Sequence, residues 1–172
     1  MSESLQSILI GQSALYVLIL VALIFTAARP IRADATEMRS LSRIFLVGIA
    51  CQCVHLVEEF VTGFHHQFPT LLGLAPWSAE FFVAFNIVWL ALWALSAATV
   101  DWRLRVVLFP VWFFAFGMVG NAIWHPLLAI AKGGYFPGLF TSPIVGAAGV
   151  VVLRRLVAVT GVKRQRSAAP AA

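Results

Sequence analysis

Apolar residues run along this chain in long blocks, separated by shorter polar stretches. A helix needs about 20 apolar residues to cross the hydrocarbon core of a bilayer, and five blocks approach or reach that length. The block at 7–28 predicts a first helix, followed by the polar loop RPIRADATEMRSLSR. A second helix is predicted over 44–62 and a third over 79–100. Between them, GFHHQFPTLLGLAPWS reads as a loop, or as a loop with a short interfacial segment. The turn DWRLR leads into a fourth helix over 106–130, with Pro110 in the first turn, where proline costs little. AKGGYFPGLFTS then connects to a fifth helix over 143–159, whose GAAG stretch offers a small-residue surface for close packing. Arg154 and Arg155 interrupt this last block, and their long side chains are expected to snorkel to the headgroups.

Composition sharpens this picture. Of 172 residues, 61% are hydrophobic and 11% charged, and the mean hydropathy of +0.92 lies outside the range of water-soluble domains. The expected fold is an all-α integral membrane protein: one transmembrane domain over 1–160, a bundle of five transmembrane helices, and a basic, disordered tail over 161–172. The opening MSESLQS lacks the positive start of a cleaved signal peptide, so the first block is read as a permanent helix. Cys51 and Cys53 point to different faces of one helix and read as small buried groups, not a disulfide.

Charge sets the orientation. With five spans, all 12 Lys and Arg residues except Lys132 share one side. Basic loops stay on the cytoplasmic side, which places the N-terminus outside and the C-terminus inside, in a multi-pass protein of the cell's inner (plasma) membrane. The net charge of +5 is absorbed by this rule. No basic stripe with interleaved aromatics lies in a solvated segment, so a nucleic-acid partner is not expected. The expected partners are the bilayer and a lipophilic small molecule, with a homo-oligomer left open.

Against this background the stretch HLVEEF, residues 55–60, is anomalous. At about 1.5 Å of rise per residue, Glu59, Glu58, His55 and Gln52 lie roughly 5, 6, 10 and 15 Å below the outer end of the second helix. His55 and Glu59 are four apart and Gln52 precedes His55 by three, so these share a face, with Glu58 about 100° around the axis. Asn121 and His125, again four apart, reach a similar depth on the fourth helix, where Pro126 frees the carbonyl of Ala122. Asn86 joins them from the third helix. Carboxylates in hydrocarbon are costly unless something uses them. Hence His55, Glu58, Glu59 and His125 are candidate catalytic residues, and Asn121, Trp124, Asn86 and Tyr135 candidate substrate-binding residues. Which of Glu58 and Glu59 faces the pocket stays open. Glu80 and the pair His65–His66 lie nearer the interface and read as reaching water. The inner halves of the third and fourth helices carry almost no polar groups, which disfavours a continuous transport path.

His55-Leu-Val-Glu58-Glu59, a second histidine at His125, and Tyr135-Phe136-Pro137-Gly138 together resemble the HXXEE-domain family of bacterial membrane proteins, over roughly residues 40–155. That resemblance implies a membrane fold but no assigned activity. HLVEE and the run NAIW (Asn121 to Trp124) are also similar, locally, to elements of the emopamil-binding (EXPERA-type) sterol isomerases. By that likeness His55 and Glu59 would handle protons while Asn121 and Trp124 face the substrate.

The leading expectation is a membrane-embedded enzyme that moves protons on a lipophilic substrate, in a double-bond isomerisation or cyclisation that requires no cofactor. One glutamate then acts as general acid, His55 as its relay or base, and Trp124, Phe85 and Trp89 stabilise a developing cation. The alternative is a zinc or iron enzyme, a hydrolase or oxidoreductase, with His55, Glu59 and His125 as metal ligands. A haem held between His55 and His125, or a non-enzymatic transport or assembly role, completes the set. The glycines and proline of GGYFPG make a shaped turn, which either returns the chain into the fifth helix or closes the pocket as a lid.

Overall fold

A computed structural model describes residues 3–161. The tail at 162–172 lies outside the described residues. Among the described residues seven α-helices follow one another: α1 (Glu3–Gly11), α2 (Ser13–Ala28), α3 (Ala35–Val61), α4 (Phe64–Leu71), α5 (Ala79–Thr99), α6 (Leu108–Lys132) and α7 (Ser142–Thr160). Short 3-10 turns at Val100–Trp102 and Arg105–Val107 join α5 to α6. Four helices are long and apolar enough to cross a membrane, and the α1–α2 pair makes a fifth if it counts as one span.

Two boundaries differ from expectation, one for a distant reason and one for a local one. The first apolar block is broken between Gly11 and Ser13, and its two helices diverge by 50°. The Trp77 ring packs against Gly11 so closely that a Cβ there would overlap it. The Ser7 hydroxyl donates to the Ala75 carbonyl at 2.5 Å, tying α1 to the segment before α5. Further on, α3 begins at Ala35, inside the stretch expected to be a polar loop. Asp34 caps it in a capping box: the Glu37 amide donates to Asp34, and the Asp34 amide donates to the Glu37 carboxylate. The segment after α3, read as a loop or a loop with a short interfacial segment, contains the two-turn helix α4.

The bundle has an apolar end and a polar end. Met38, Leu41 and Phe45 of α3, Leu108 to Ala115 along α6, and Val152, Leu156 and Val159 of α7 fill the first. In α6 and α7, Gly149 and Gly146 bring the backbones together: a Cβ on Gly149 would stand 2.7 Å from Met118 Cβ and 3.0 Å from the Val119 amide. Because α7 runs back along α3 and α6, its start meets the ends of those two helices at the opposite, polar end. On α3 the exposed residues Val47, Val54, Val57 and Val61 form a stripe facing outward, while Gln52, His55 and Glu59 turn inward. Apolar outside and polar inside is the arrangement expected of a helix in lipid.

Candidate functional site

His55 and Glu59 are brought to one spot by their i,i+4 spacing on α3, and His125 arrives from α6. All three are buried, His55 and His125 almost completely. Glu59 Oε1 stands 3.5 Å from His55 Nε2 and 3.4 Å from His125 Nε2. One ligand atom from each of the three lies within 4.8 Å of the others. The imidazole rings meet edge to face with centroids 4.8 Å apart, so a macrocycle between them would require the rings to part.

The outer nitrogens fix the tautomers. His125 Nδ1 lies 2.6 Å from the Pro137 carbonyl, which can only accept, so the proton is assigned to Nδ1. The Thr141 hydroxyl donates its one hydrogen to Glu58 Oε2 at 2.5 Å. It therefore accepts from His55 Nδ1, 2.7 Å away. Both histidines thus carry a proton on the outside, and in its neutral form each turns an Nε2 lone pair toward Glu59. Asn121 Nδ2 approaches His55 Nε2 at 3.4 Å, at the long end of hydrogen bonding.

Glu58, one residue before Glu59, points the other way. It accepts from the Tyr135 hydroxyl at 2.7 Å, from the amides of Phe140 and Thr141 at 3.1 and 2.9 Å, and from the Thr141 hydroxyl. Four donors saturate a carboxylate, so Glu58 anchors the α6–α7 loop. Glu59 is the glutamate that faces the pocket.

That loop is the YFPG segment, and it closes over the histidines. Gly138 adopts φ +86 and leaves no room for a side chain against either ring: a Cβ would lie 2.6 Å from His125 Nδ1 and 2.9 Å from His55 Cε1. Phe136 is fully buried beneath it.

A cavity of about 350 Å³ opens beside the three residues, within the size range of small-molecule sites. Glu59, His125, Asn121, Gln52 and Asn86 supply its polar points, and Phe64, Phe81, Phe85, Trp89, Trp93 and Trp124 most of its walls. His55 sits behind Glu59, outside the lining. Of the expected substrate-binding residues, Asn121, Trp124 and Asn86 line the cavity, while the Tyr135 hydroxyl is engaged by Glu58. Asn86 Nδ2 donates back to the Phe82 carbonyl. His65 stacks on Phe60, away from the three. Thr141 and the Pro137 carbonyl were not anticipated.

Comparison with protein-family models, with curated proteins and with solved structures gave no match. The site therefore rests on its own geometry.

Proposed function

We propose that this protein is a membrane-embedded, metal-dependent enzyme acting on a lipophilic substrate, with His55, Glu59 and His125 as ligands of zinc or iron. The observation that carries this reading is the spacing around Glu59 Oε1. Metal–ligand bonds of about 2.0–2.1 Å, arranged tetrahedrally, put neighbouring ligand atoms about 3.3 Å apart. The observed 3.4 and 3.5 Å match that edge on the two sides that meet at Glu59, and all three ligand atoms lie within 4.8 Å of one another. Charge-assisted hydrogen bonds between the same groups are shorter, about 2.7–2.9 Å. With a proton held outward on each Nδ1, neutral imidazoles present two lone pairs to the Glu59 carboxylate, an arrangement that suits a cation. Outward hydrogen bonds from Nδ1 to a carbonyl, or through a hydroxyl to a carboxylate, are the usual orienting contacts of ligating histidines.

Two histidines and one carboxylate are the donor set of many catalytic zinc and non-haem iron sites, which keep a coordination position open. Such an ion supplies Lewis acidity or an activated oxygen ligand next to bound substrate. Asn121, which lines the cavity beside His55, would meet the polar part of the substrate, and the aromatic walls would receive its apolar part.

The chain's HXXEE, second histidine and YXPG segments join one centre, which supports placing it in the HXXEE-domain family. The distribution of basic residues supports five spans with the N-terminus outside. The metal-free reading, proton transfer by His55 and Glu59, is favoured by Trp124, Trp89 and Phe85 around the cavity, whose π faces suit a developing cation.

Cobalt(II) titration of metal-depleted protein in detergent separates the two. The metal reading predicts visible ligand-field bands of a four-coordinate site that saturate at one ion per chain and vanish in Glu59→Gln. No bands in the wild-type protein would favour the proton-transfer reading.

A further inference from the structure

Gly117 of α6 stands on the cavity wall, and a Cβ built on it meets nothing within 4 Å. Gly146 and Gly149 are different: they make room for α6, because a Cβ on either would strike it. Gly117 lies inside a helix of 25 residues and needs no positive φ. Glycine weakens a helix interior relative to alanine, and here no neighbour in the protein takes up the space that the absent side chain leaves. That space is cavity, so a side chain at 117 would displace whatever the cavity holds.

The helices give the space a direction. Phe113, Gly117, Asn121 and His125 recur at every fourth residue of α6, and all four line the cavity. Gly117 is eight residues before His125, or about 12 Å along the axis toward the apolar end of the bundle. On α5, Phe81, Phe85 and Trp89 recur at the same spacing and also line it. Trp89 stacks on Phe113 with ring centroids 4.1 Å apart, joining α5 to α6 about one turn beyond Gly117. Among the described residues of the lining, Glu59 and His125 alone are ionisable. The Gln52 amide oxygen is shut away from the space. A charged tail would lose its water there and be penalised, whereas hydrocarbon would not. A volume of about 350 Å³, near the small end for ligand sites, suits one chain.

We propose that the substrate is a lipid whose single hydrocarbon tail lies along α6 past Gly117, and that Gly117 sets the length of tail the cavity accepts. The reacting group then sits at Glu59 and His125, with the tail pointing toward the apolar end of the bundle. This deepens the proposed function and rests on its reading of the cavity as the substrate site; it does not require the metal.

The test is saturable quenching of the cavity tryptophans by 1-bromooctane and 1-bromohexadecane, in detergent-solubilised, metal-depleted, full-length protein. The saturable part is read above the linear quenching that bromine in the micelle gives any tryptophan. Wild-type protein should bind both probes. Gly117→Leu should weaken 1-bromohexadecane at least about tenfold and 1-bromooctane less than about twofold, because the added side chain overpacks only the space the longer chain reaches. Gly117→Ala should keep a thermal midpoint no lower than that of the wild type. Absence of saturable quenching of the wild type by 1-bromohexadecane would overturn the proposal, and so would a lowered midpoint in Gly117→Ala. Neither result depends on the leucine variant folding. Equal effects on the two probes in folded Gly117→Leu would overturn it too, and would leave the metal reading standing if the protein binds one cobalt(II) per chain. The expected chain-length effect in a protein that takes up no metal would sink the metal reading and support this one.

Discussion

Gly138 and His125 are in direct contact: the glycine backbone lies where any side chain would strike the imidazole. Its φ of +86 is a second reason for glycine, because that region is strained for other residues. The loop and the site are therefore one construction. Gly138→Ala should displace both histidines and lower stability by about 2–4 kcal/mol, read as a fall in thermal midpoint together with lost metal binding. Gly134→Ala, where a Cβ meets nothing within 4 Å, is the matched control and should change neither.

Thr141 links His55 Nδ1 to Glu58, and its hydroxyl cannot be replaced by a methyl group without stranding both. Thr141→Val should weaken metal affinity about 10–100-fold, the usual effect of removing an orienting contact. Thr141→Ser should restore most of it. Cobalt or zinc competition titrations measure the difference, and equal loss in both variants would contradict the relay.

The adjacent glutamates predict opposite phenotypes. Glu59→Gln removes a ligand and should abolish metal binding with little loss of fold. Glu58→Gln puts an amide N–H₂ group against donors and should cost about 1–3 kcal/mol of stability, with metal affinity reduced but measurable. Thermal denaturation and metal titration of the two proteins, side by side, check this.

Tyr135 sits in the α6–α7 loop, outside the spans. Burial pushes its phenol above the ordinary value, the nearby Thr62 hydroxyl pulls the other way, and the Glu58 carboxylate it faces adds to the rise. A raised phenol favours the protonated, folded form. This contribution is complete below about pH 10, the ordinary tyrosine value, and is lost as pH rises through the higher folded value. Tyr135→Phe should cost about 0.5–1.5 kcal/mol at neutral pH, and its deficit relative to wild type should shrink above about pH 10. A deficit constant through that window would contradict the assignment.

At Gly149 the constraint is space between α6 and α7, since a Cβ would meet Met118 and the α6 backbone. Gly149→Val should destabilise the bundle by about 1–3 kcal/mol through overpacking, visible as a lower thermal midpoint in detergent.

The long apolar helices and the shared face of Gln52, His55 and Glu59 could be read from hydropathy and helical spacing. The start of α3 was also written locally, in the Asp34 and Glu37 capping box, but polar residues 35–43 masked it as a loop. The break after Gly11 was marked in the sequence only by the short run Gly11-Gln12-Ser13 inside an apolar block, and the Trp77 ring that packs there lies far away in sequence. Within the site, spacing could bring Glu59 and His55 together but could not tell which glutamate turned inward. That is decided by the loop amides of Phe140 and Thr141, which claim Glu58. The YFPG segment signalled a shaped turn; that it lies on the histidines depends on α7 returning beside α3.

Elemental analysis of the protein, purified from membranes without added metal or chelator, tests the central claim most directly. The account predicts close to one zinc or iron per chain, lost in His55→Ala and in His125→Ala and kept in Glu80→Gln. A folded wild-type protein with no stoichiometric metal, and none taken up when zinc or iron is supplied, would contradict it.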